Sequence, residues 1–436
     1  MLRIPHLMAL CLSGSLVACG DDKPAKKTTA KKAKTEKVAK AKEEKPVAGK
    51  YQPKQEALSG KPLPTLVLAQ AWFLKDEQGK SQPGPARLEI WRRSPAGWFS
   101  SLLEDEESNV FHKTIIGDDR SILTIGAMGA KLKRWVFDGE AKSWSQTTLW
   151  SQSWGGKFDR LRDIEVGDVD GDGADEYVIA THDYGVIAVY NPATDGGEPE
   201  IIEMDKKADT FVHEIEIGDI EGDGKLEFFA TPSDRNKSGV SQHGEVVMYK
   251  WDGKAYARSV VDPGEGTHAK EILAADIDGD GKSELFSVQE AVLENKKMVK
   301  PVTIRQYTRN AEGSFSFTEI AQIEDKMTRF IIAEDFDGDG QKELIAAAKK
   351  TGLYRITKDG DKWTVNQFDA NSSSFEHAIL SYDSDGNGSP ELFVAADDQQ
   401  ELKRYDWNNE TKTFKRTVIG KLQPSVFTWN IASGKL

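Results

Sequence analysis

Five nine-residue segments of this chain crowd acids together at a spacing that suits a cation. They read DVDGDGADE from Asp168, DIEGDGKLE from Asp219, DIDGDGKSE from Asp276, DFDGDGQKE from Asp335 and DSDGNGSPE from Asp383. Hard divalent cations take several oxygen ligands at once. Positions one, three and five present side-chain oxygens from one tight turn. Position seven offers its backbone carbonyl and position nine a closing carboxylate, while glycine lets the backbone bend around an ion. The expected ligands are Asp168, Asp170, Asp172, the carbonyl of Ala174, and Glu176 in the first loop. In the second they are Asp219, Glu221, Asp223, Lys225 through its carbonyl, and Glu227, and in the third Asp276, Asp278, Asp280, Lys282 through its carbonyl, and Glu284. The fourth offers Asp335, Asp337, Asp339, the Gln341 carbonyl and Glu343, and the fifth Asp383, Asp385, Asn387, the Ser389 carbonyl and Glu391. Up to five calcium ions are expected. A plain Asp-Gly turn would leave these acids repelling one another. An EF-hand needs Glu at position twelve, where this chain has Ile179, Ala230, Ser287, Ala346 and Val394.

A second pattern runs ahead of the first. Six residues before each loop stands a base: Arg162, His213, Lys270, Arg329 and His377, with His112 ahead of a worn copy of the loop at Asp118. Trp429 holds the equivalent place near the C-terminus, and His268 lies two residues before Lys270. A ring of bases would attract an anion such as an acidic sugar, a phosphate or a partner's carboxylate. Its histidines would strengthen that attraction as pH falls, if they stay exposed. The competing reading is structural, with the bases paired to neighbouring acids such as Glu214 and Glu271.

The elements that must position these residues follow from the repeat. The six loop starts lie 50, 51, 57, 59 and 48 residues apart, a period that points to a propeller. Each unit reads as four strands. From residue 211 they are FVHEIEIGD, which enters the loop, EFFATP, which leaves it, then GEVVMYKWD and AYARSVVD. The bases then stand at the start of each innermost strand, at the channel face opposite the loops. The first folded segment, TLVLAQAWFL from Thr65, matches a second strand. Its missing first strand is FTWNIASGKL from Phe427, which aligns with FVHEIEIGDI from Phe211 without a gap. The expectation is an all-β, seven-bladed β-propeller over residues 63–436, closed by the C-terminal strand completing the first blade.

On these loops and this period the chain resembles the FG-GAP and VCBS repeat family, which includes the integrin α-subunit propeller. The resemblance covers residues 63–436, and the VCBS form fits better because the phenylalanyl-glycyl half of the motif is poorly kept. It implies the propeller fold and calcium loops but no single activity, since its members include adhesion modules, lectins and lyases.

The N-terminus reads as an address. Residues 1–18 resemble a lipoprotein signal peptide, with Arg3, a short apolar run from Leu7 to Leu12, and Leu16-Val17-Ala18 before Cys19, the expected lipid acceptor. Residues 19–62 form a Lys-rich tether, with 13 Lys and 6 acids between 20 and 62 and too few apolar residues to fold. Membrane attachment is expected through the lipid on Cys19, at a bacterial envelope, with the outer membrane or cell surface favoured because Gly20 follows the cysteine. Both cysteines, Cys11 and Cys19, lie in this region, which leaves the folded part without a disulfide. The net charge of −13 is a property of the loops: their ligand acids number 19 of 71, and the remaining 52 face 58 Lys and Arg.

Three function classes follow. The first is a calcium-stabilised, envelope-anchored binding or scaffold propeller for an anionic glycan or protein, with no nucleic-acid partner. The second is a polysaccharide lyase-like enzyme, in which Arg162, His213 and His268 would supply base and charge, although no spacing singles out an acid–base pair. The third is an envelope assembly platform.

Overall fold

The structure, a computed structural model, describes residues 61–436 apart from 142, 158, 194–196, 236–239 and 265. The signal segment, Cys19 and the tether to residue 60 lie outside the described residues.

Seven antiparallel sheets stand around a central channel. The fourth blade is typical, with strands Thr210–Gly218, Glu227–Asp234, Val246–Trp251 and Tyr256–Asp262 in that order from the channel outward. The same order recurs in the blades that begin at Phe111, Leu161, Ala269, Thr328 and Ile379. The first blade draws its inner strand from the far end of the chain. Val426–Lys435 pairs with Pro64–Lys75, in register from Pro64 opposite Lys435 to Trp72 opposite Val426. Backbone bonds between Leu63 and Leu436 finish the seam. That seam lies on the loop face, so the described chain starts there.

Each blade is buried most where blades converge. The second strands Glu343–Ala348 (ELIAAA) and Glu391–Ala396 (ELFVAA) are buried at every residue, and their alanines fit the narrow wedge. The outer strand Lys362–Asp369 is exposed at five of eight positions and carries the polar residues. The apolar core is therefore divided among the interfaces between neighbouring blades rather than gathered at one centre. Phe228, Val247 and Tyr249 of the fourth blade pack on Val178, Ile187 and Val189 of the third. At the closing interface Leu66, Leu68, Trp91 and Ile431 meet Phe393, Ala395 and Leu402. Gly420 is required there, because a Cβ on it would lie 1.9 Å from the Trp91 ring.

Polar clamps reinforce four of these interfaces. An acid at the end of an outer strand reaches the next blade. Asp262 Oδ2 accepts bonds from Arg305 and the Tyr307 hydroxyl, both at 2.7 Å. Asp369 accepts from Tyr405 (2.7 Å) and Arg416 (3.2 Å), and Asp105 from Lys133 (2.7 Å). Asp205 accepts from Tyr249 and Arg258, the latter at 3.0 Å.

Candidate functional site

The loops share one hydrogen-bonded design. In each, the first Asp accepts the amides of positions four and six, as Asp168 does from Gly171 (2.7 Å) and Gly173 (2.9 Å). The residue at position five accepts the amide of position seven, and one oxygen of the closing Glu accepts the amide of position two. These bonds recur with Asp219, Asp276, Asp335 and Asp383 at 2.6–3.0 Å. All ten loop glycines have φ between +69° and +93°, where a side chain would strain the backbone. Backbone geometry thus sets the carboxylates' directions before any ion arrives.

What surrounds the carboxylates differs between loops. Ligand oxygens of Asp168, Asp170 and Glu176 lie within 4.8 Å of one another, as do those of Asp276, Asp278 and Glu284. Among the described residues no Lys or Arg is in ion-pair reach of either set. Burial, with Asp170 and Asp172 nearby, pushes the Glu176 carboxyl up to about 7. In the second loop Lys250 Nζ sits among the carboxylates, 2.8 Å from Glu221 and 2.9 Å from Glu227, and Arg309 also pairs with Glu221. In the fourth loop Asp335, Asp337 and Asp339 converge, yet Arg355 holds Asp337 at 2.5 Å and also pairs with Glu343. In the fifth, Arg404 lies 3.8 Å from Glu391 and Arg93 3.5 Å from Asp385. The residues fit a hard cation by charge, oxygen donors and preset direction. Asp337 Oδ1 and Glu391 Oε1, buried without a hydrogen-bond partner, point the same way.

On the opposite face a backbone device assembles the bases. His112, Arg162, Lys270, Arg329 and Trp429 are each the extra residue of a β-bulge on an inner strand. His213 shares its bulge with Glu214, the two facing Thr231. A bulge kinks the strand and re-aims a side chain, and here it sends six residues into the channel. His377 is the exception and corrects the expected ring. Its strand begins only at Ile379, and its own φ is +62°. Its ring is buried between the Ala348 carbonyl (2.6 Å) and the Ser372 hydroxyl (2.8 Å). Glu376 takes the channel position, paired with Arg329 and 3.6 Å from Arg162.

The bases are buried rather than displayed on a rim. His213 is 1% exposed, Lys270 3% and Arg162 7%. Lys270 Nζ lies 2.7 Å from His213 Nε2, and His182 Nε2 is 3.2 Å from His213 Nδ1. His268 Nε2 is 3.9 Å from Glu290, and His112 Nδ1 bonds the Leu161 carbonyl at 2.7 Å. Burial above all, then neighbouring cations, holds the His112, His182, His213 and His268 rings well below the usual range. They are neutral at physiological pH, which removes the expected gain in anion attraction on mild acidification. Burial also lowers Lys270 to about 7. One step toward the loops lies an acidic layer. Lys113 pairs with Asp163 at 2.8 Å and with Glu165. Burial, with acidic neighbours, raises Glu214, Glu216 and Glu271 well above the carboxylate range.

Aromatic rings cover the base layer, a feature the base register did not reveal. Trp429 meets His112 edge-on at 4.8 Å and lies 5.1 Å from the Arg162 guanidinium. Phe375 lies under Arg329 (4.5 Å) and Lys349 (4.6 Å). Phe375, Phe427 and Phe73 continue the patch with centroids 5.8 and 5.4 Å apart. Phe73, Phe375, Phe427 and Trp429 are all half-buried, so ring surface reaches solvent at the mouth.

The blade count, strand order and closing seam define the class as a seven-bladed β-propeller. Residues 219–287 match the FG-GAP-like repeat family, so this propeller carries FG-GAP-like repeats. No curated protein matches the chain. Among solved structures, it is similar to an Agrocybe aegerita lectin described by its recognition of non-reducing terminal N-acetylglucosamine. That likeness has a TM-score of 0.53 and 13% identity, covering 86% of this chain and 95% of the lectin. A periplasmic gluconolactonase of Pseudomonas aeruginosa has a TM-score of 0.50 and 11% identity, covering 86% and 99% of the two chains. A Lactobacillus plantarum protein has a TM-score of 0.50 and 12% identity, covering 85% and 99%. At these identities the likeness is one of fold.

Proposed function

We propose that this chain is a non-catalytic binding propeller, stabilised by calcium and tethered to a bacterial envelope through Cys19, which recognises an acidic glycan or protein at the mouth opposite the loops. The observation that carries the reading is the mouth itself. Bulges on six inner strands converge there and bring Arg162, Lys270 and Arg329 together, and four half-buried rings lie beside them. Rings present flat apolar surface to a sugar or side chain, and the cations behind them favour an acidic group.

The loops would hold calcium through the carboxylates already aimed by backbone amides, the third and first loops most tightly because no base competes there. Calcium would offset the carboxylate repulsion at those turns.

The enzyme reading rests on the 2.7 Å approach of Lys270 to His213. Both are nearly fully buried, which disfavours contact with a polymeric substrate. The assembly-platform reading shares the mouth and differs only in the partner. The discriminating experiment is a glycan array and an envelope pull-down with the full chain, with and without calcium. Phe375→Ala with Phe427→Ala should abolish capture while leaving the melting temperature within a few degrees. Undiminished capture by this variant would remove the mouth from consideration.

A further inference from the structure

We infer that the half of the mouth formed by the sixth, seventh and first blades docks a protein segment in which a large apolar side chain stands next to an acid. This rests on the mouth being the binding face, and chooses a protein over a glycan as what binds there. The turns that build this half, 72–85, 326–328, 349–351, 370–378 and 422–428, all lie within the described residues.

The first observation is how Phe375 is held. It belongs to the connection between the sixth and seventh blades. The three serines before it are buried, and each hydroxyl is bonded: Ser372 to His377 Nε2 (2.8 Å), Ser373 to Asp398 (2.9 Å) and Ser374 to Asp397 (2.7 Å). His377, two residues on, sits at φ +62°, a region that residues other than glycine rarely enter. Its Nδ1 bonds the Ala348 carbonyl at 2.6 Å. Strained backbone persists where its surroundings over-determine it, and it gathers at binding sites. What this turn presents is a phenylalanine that is only half-buried. An anchor fixed in advance loses little freedom on binding.

The second observation separates the two kinds of partner. Phe427 meets Phe375 at 65° and Phe73 at 76°, and Phe375 meets Trp429 at 73°. None of these pairs is coplanar, so a flat pyranose can lie on only one ring at a time. Arg329 and Lys349 already stand over the Phe375 ring. A compact side chain such as Leu, Met or Phe touches several of these facets at once, and an edge-to-face aromatic contact is itself favourable. Met327 adds an adaptable apolar group beside them, half-buried and with its Sδ 3.6 Å from Lys349 Nζ. Aromatic residues and methionine are the types enriched where proteins meet.

The third observation is charge. Lys326, Lys349 and Lys350 stand on two adjoining turns, joined by the Lys349 amide donating to the Met327 carbonyl at 3.0 Å. Lys350 pairs with Asp398 at 2.9 Å. Lys326 is exposed and Lys349 half-buried beside the rings. The arginines beneath, Arg329 and Arg162, are buried around Glu376. A partner's carboxylate therefore meets the surface lysines first. Cations on the rim of an apolar anchor steer an acidic partner and fix its register.

The test pans a phage-displayed library of random peptides against the full chain with calcium, then measures the consensus peptide by fluorescence anisotropy. Enriched sequences should place Leu, Ile, Met, Phe or Trp within a few residues of Asp or Glu. Phe375→Ala should weaken the consensus peptide roughly tenfold or more, as loss of an anchoring aromatic does, with the melting temperature within a few degrees. Lys326→Glu with Lys349→Glu should weaken it comparably, and added salt should weaken it in the unaltered chain. If Phe375→Ala melts early, the lysine pair decides. A library that yields no consensus, a consensus that is basic or lacks a large apolar residue, or a consensus peptide indifferent to both the Phe375 and the lysine substitutions overturns the proposal. A glycan that binds and is lost in Phe375→Ala with Phe427→Ala, without any peptide consensus, overturns it while keeping the mouth as the binding face. Glycan or protein capture untouched by that ring pair removes the mouth itself.

Discussion

The loops at Asp168 and Asp276 leave their acids facing one another, whereas those at Asp219, Asp335 and Asp383 are answered by Lys250, Arg355 and the Arg404–Arg93 pair. The motif is nearly the same in all five, and so is its network of amide bonds. The difference comes from the neighbouring third strand, which supplies a base to three loops and none to two. A loop with its own cation needs no metal to relieve its carboxylates. The two groups should therefore differ in affinity, and in what chelation costs them.

The largest effect should come from emptying the loops that have no base of their own. A ligand bound only by the folded state stabilises by about 2.7 kcal/mol at a hundred times its dissociation constant. Chelation should lower the melting temperature by several degrees, and calorimetry should find two tight sites. Glu176→Gln with Glu284→Gln should abolish the chelation shift, whereas Glu227→Gln with Glu343→Gln should leave most of it. Equal effects from the two pairs would erase the distinction between the loop groups.

Next in size is Arg355→Gln. It strips the base from Asp337 and Glu343, whose side chains are 13% and 5% exposed. Without metal the protein should lose about 1.5–3 kcal/mol, because a partly buried carboxylate loses a charge-assisted hydrogen bond. With calcium, the variant should bind one more tight ion and recover much of that loss. A variant that stays destabilised and gains no ion would show that Arg355 is a strut rather than a substitute cation.

The mouth offers a third way of handling crowded charge, which is to keep the groups neutral. His112, His182, His213 and His268 are held well below an unfolded value near 6.5. Because the unfolded chain takes up protons first, their contribution is complete above that value and is lost as pH falls below it. Each ring forfeits up to about 1.4 kcal/mol per pH unit below 6.5. Glu214, Glu216 and Glu271, raised by the fold, act in the opposite sense, so the test is a difference: from pH 7.5 to 5.5, with calcium, the denaturant midpoint of His213→Asn should fall less, or rise more, than that of the unaltered chain. Equal changes in the two would mean that these rings are charged in the folded protein.

The smallest effect should be that of Arg93→Gln. Arg93 and Asp385 are 26% and 29% exposed, and exposed pairs contribute about 0.2–1 kcal/mol. A shift beyond that range in a urea melt would place the fifth loop with the fourth in its dependence on a base.

Much of the molecule was legible in the chain because its information is local and repeated. The loop motif reports the period and the tight acidic turns. Ring closure could be read because Phe427–Leu436 repeats Phe211–Ile220 without a gap, and the observed pairing runs to Lys435. The register of bases was visible because each bulge falls at the same distance from its loop. Less legible was where each base ends up. His377 keeps the register but not the bulge, so its ring turns between blades and Glu376 enters the channel.

What the sequence by itself determined was the set of elements: seven units, the turn geometry that only glycine allows, the carboxylates at odd positions, and a polar residue six places ahead. Each follows from bonding within a few residues. The tertiary structure decided which loops receive a cation from elsewhere and which bases are covered by Phe375 and Trp429. Those outcomes depend on side chains brought together from different blades, often fifty or more residues apart, such as Arg309 and Glu221. Burial there changes the balance of charge, because a group removed from water must be paired or become neutral.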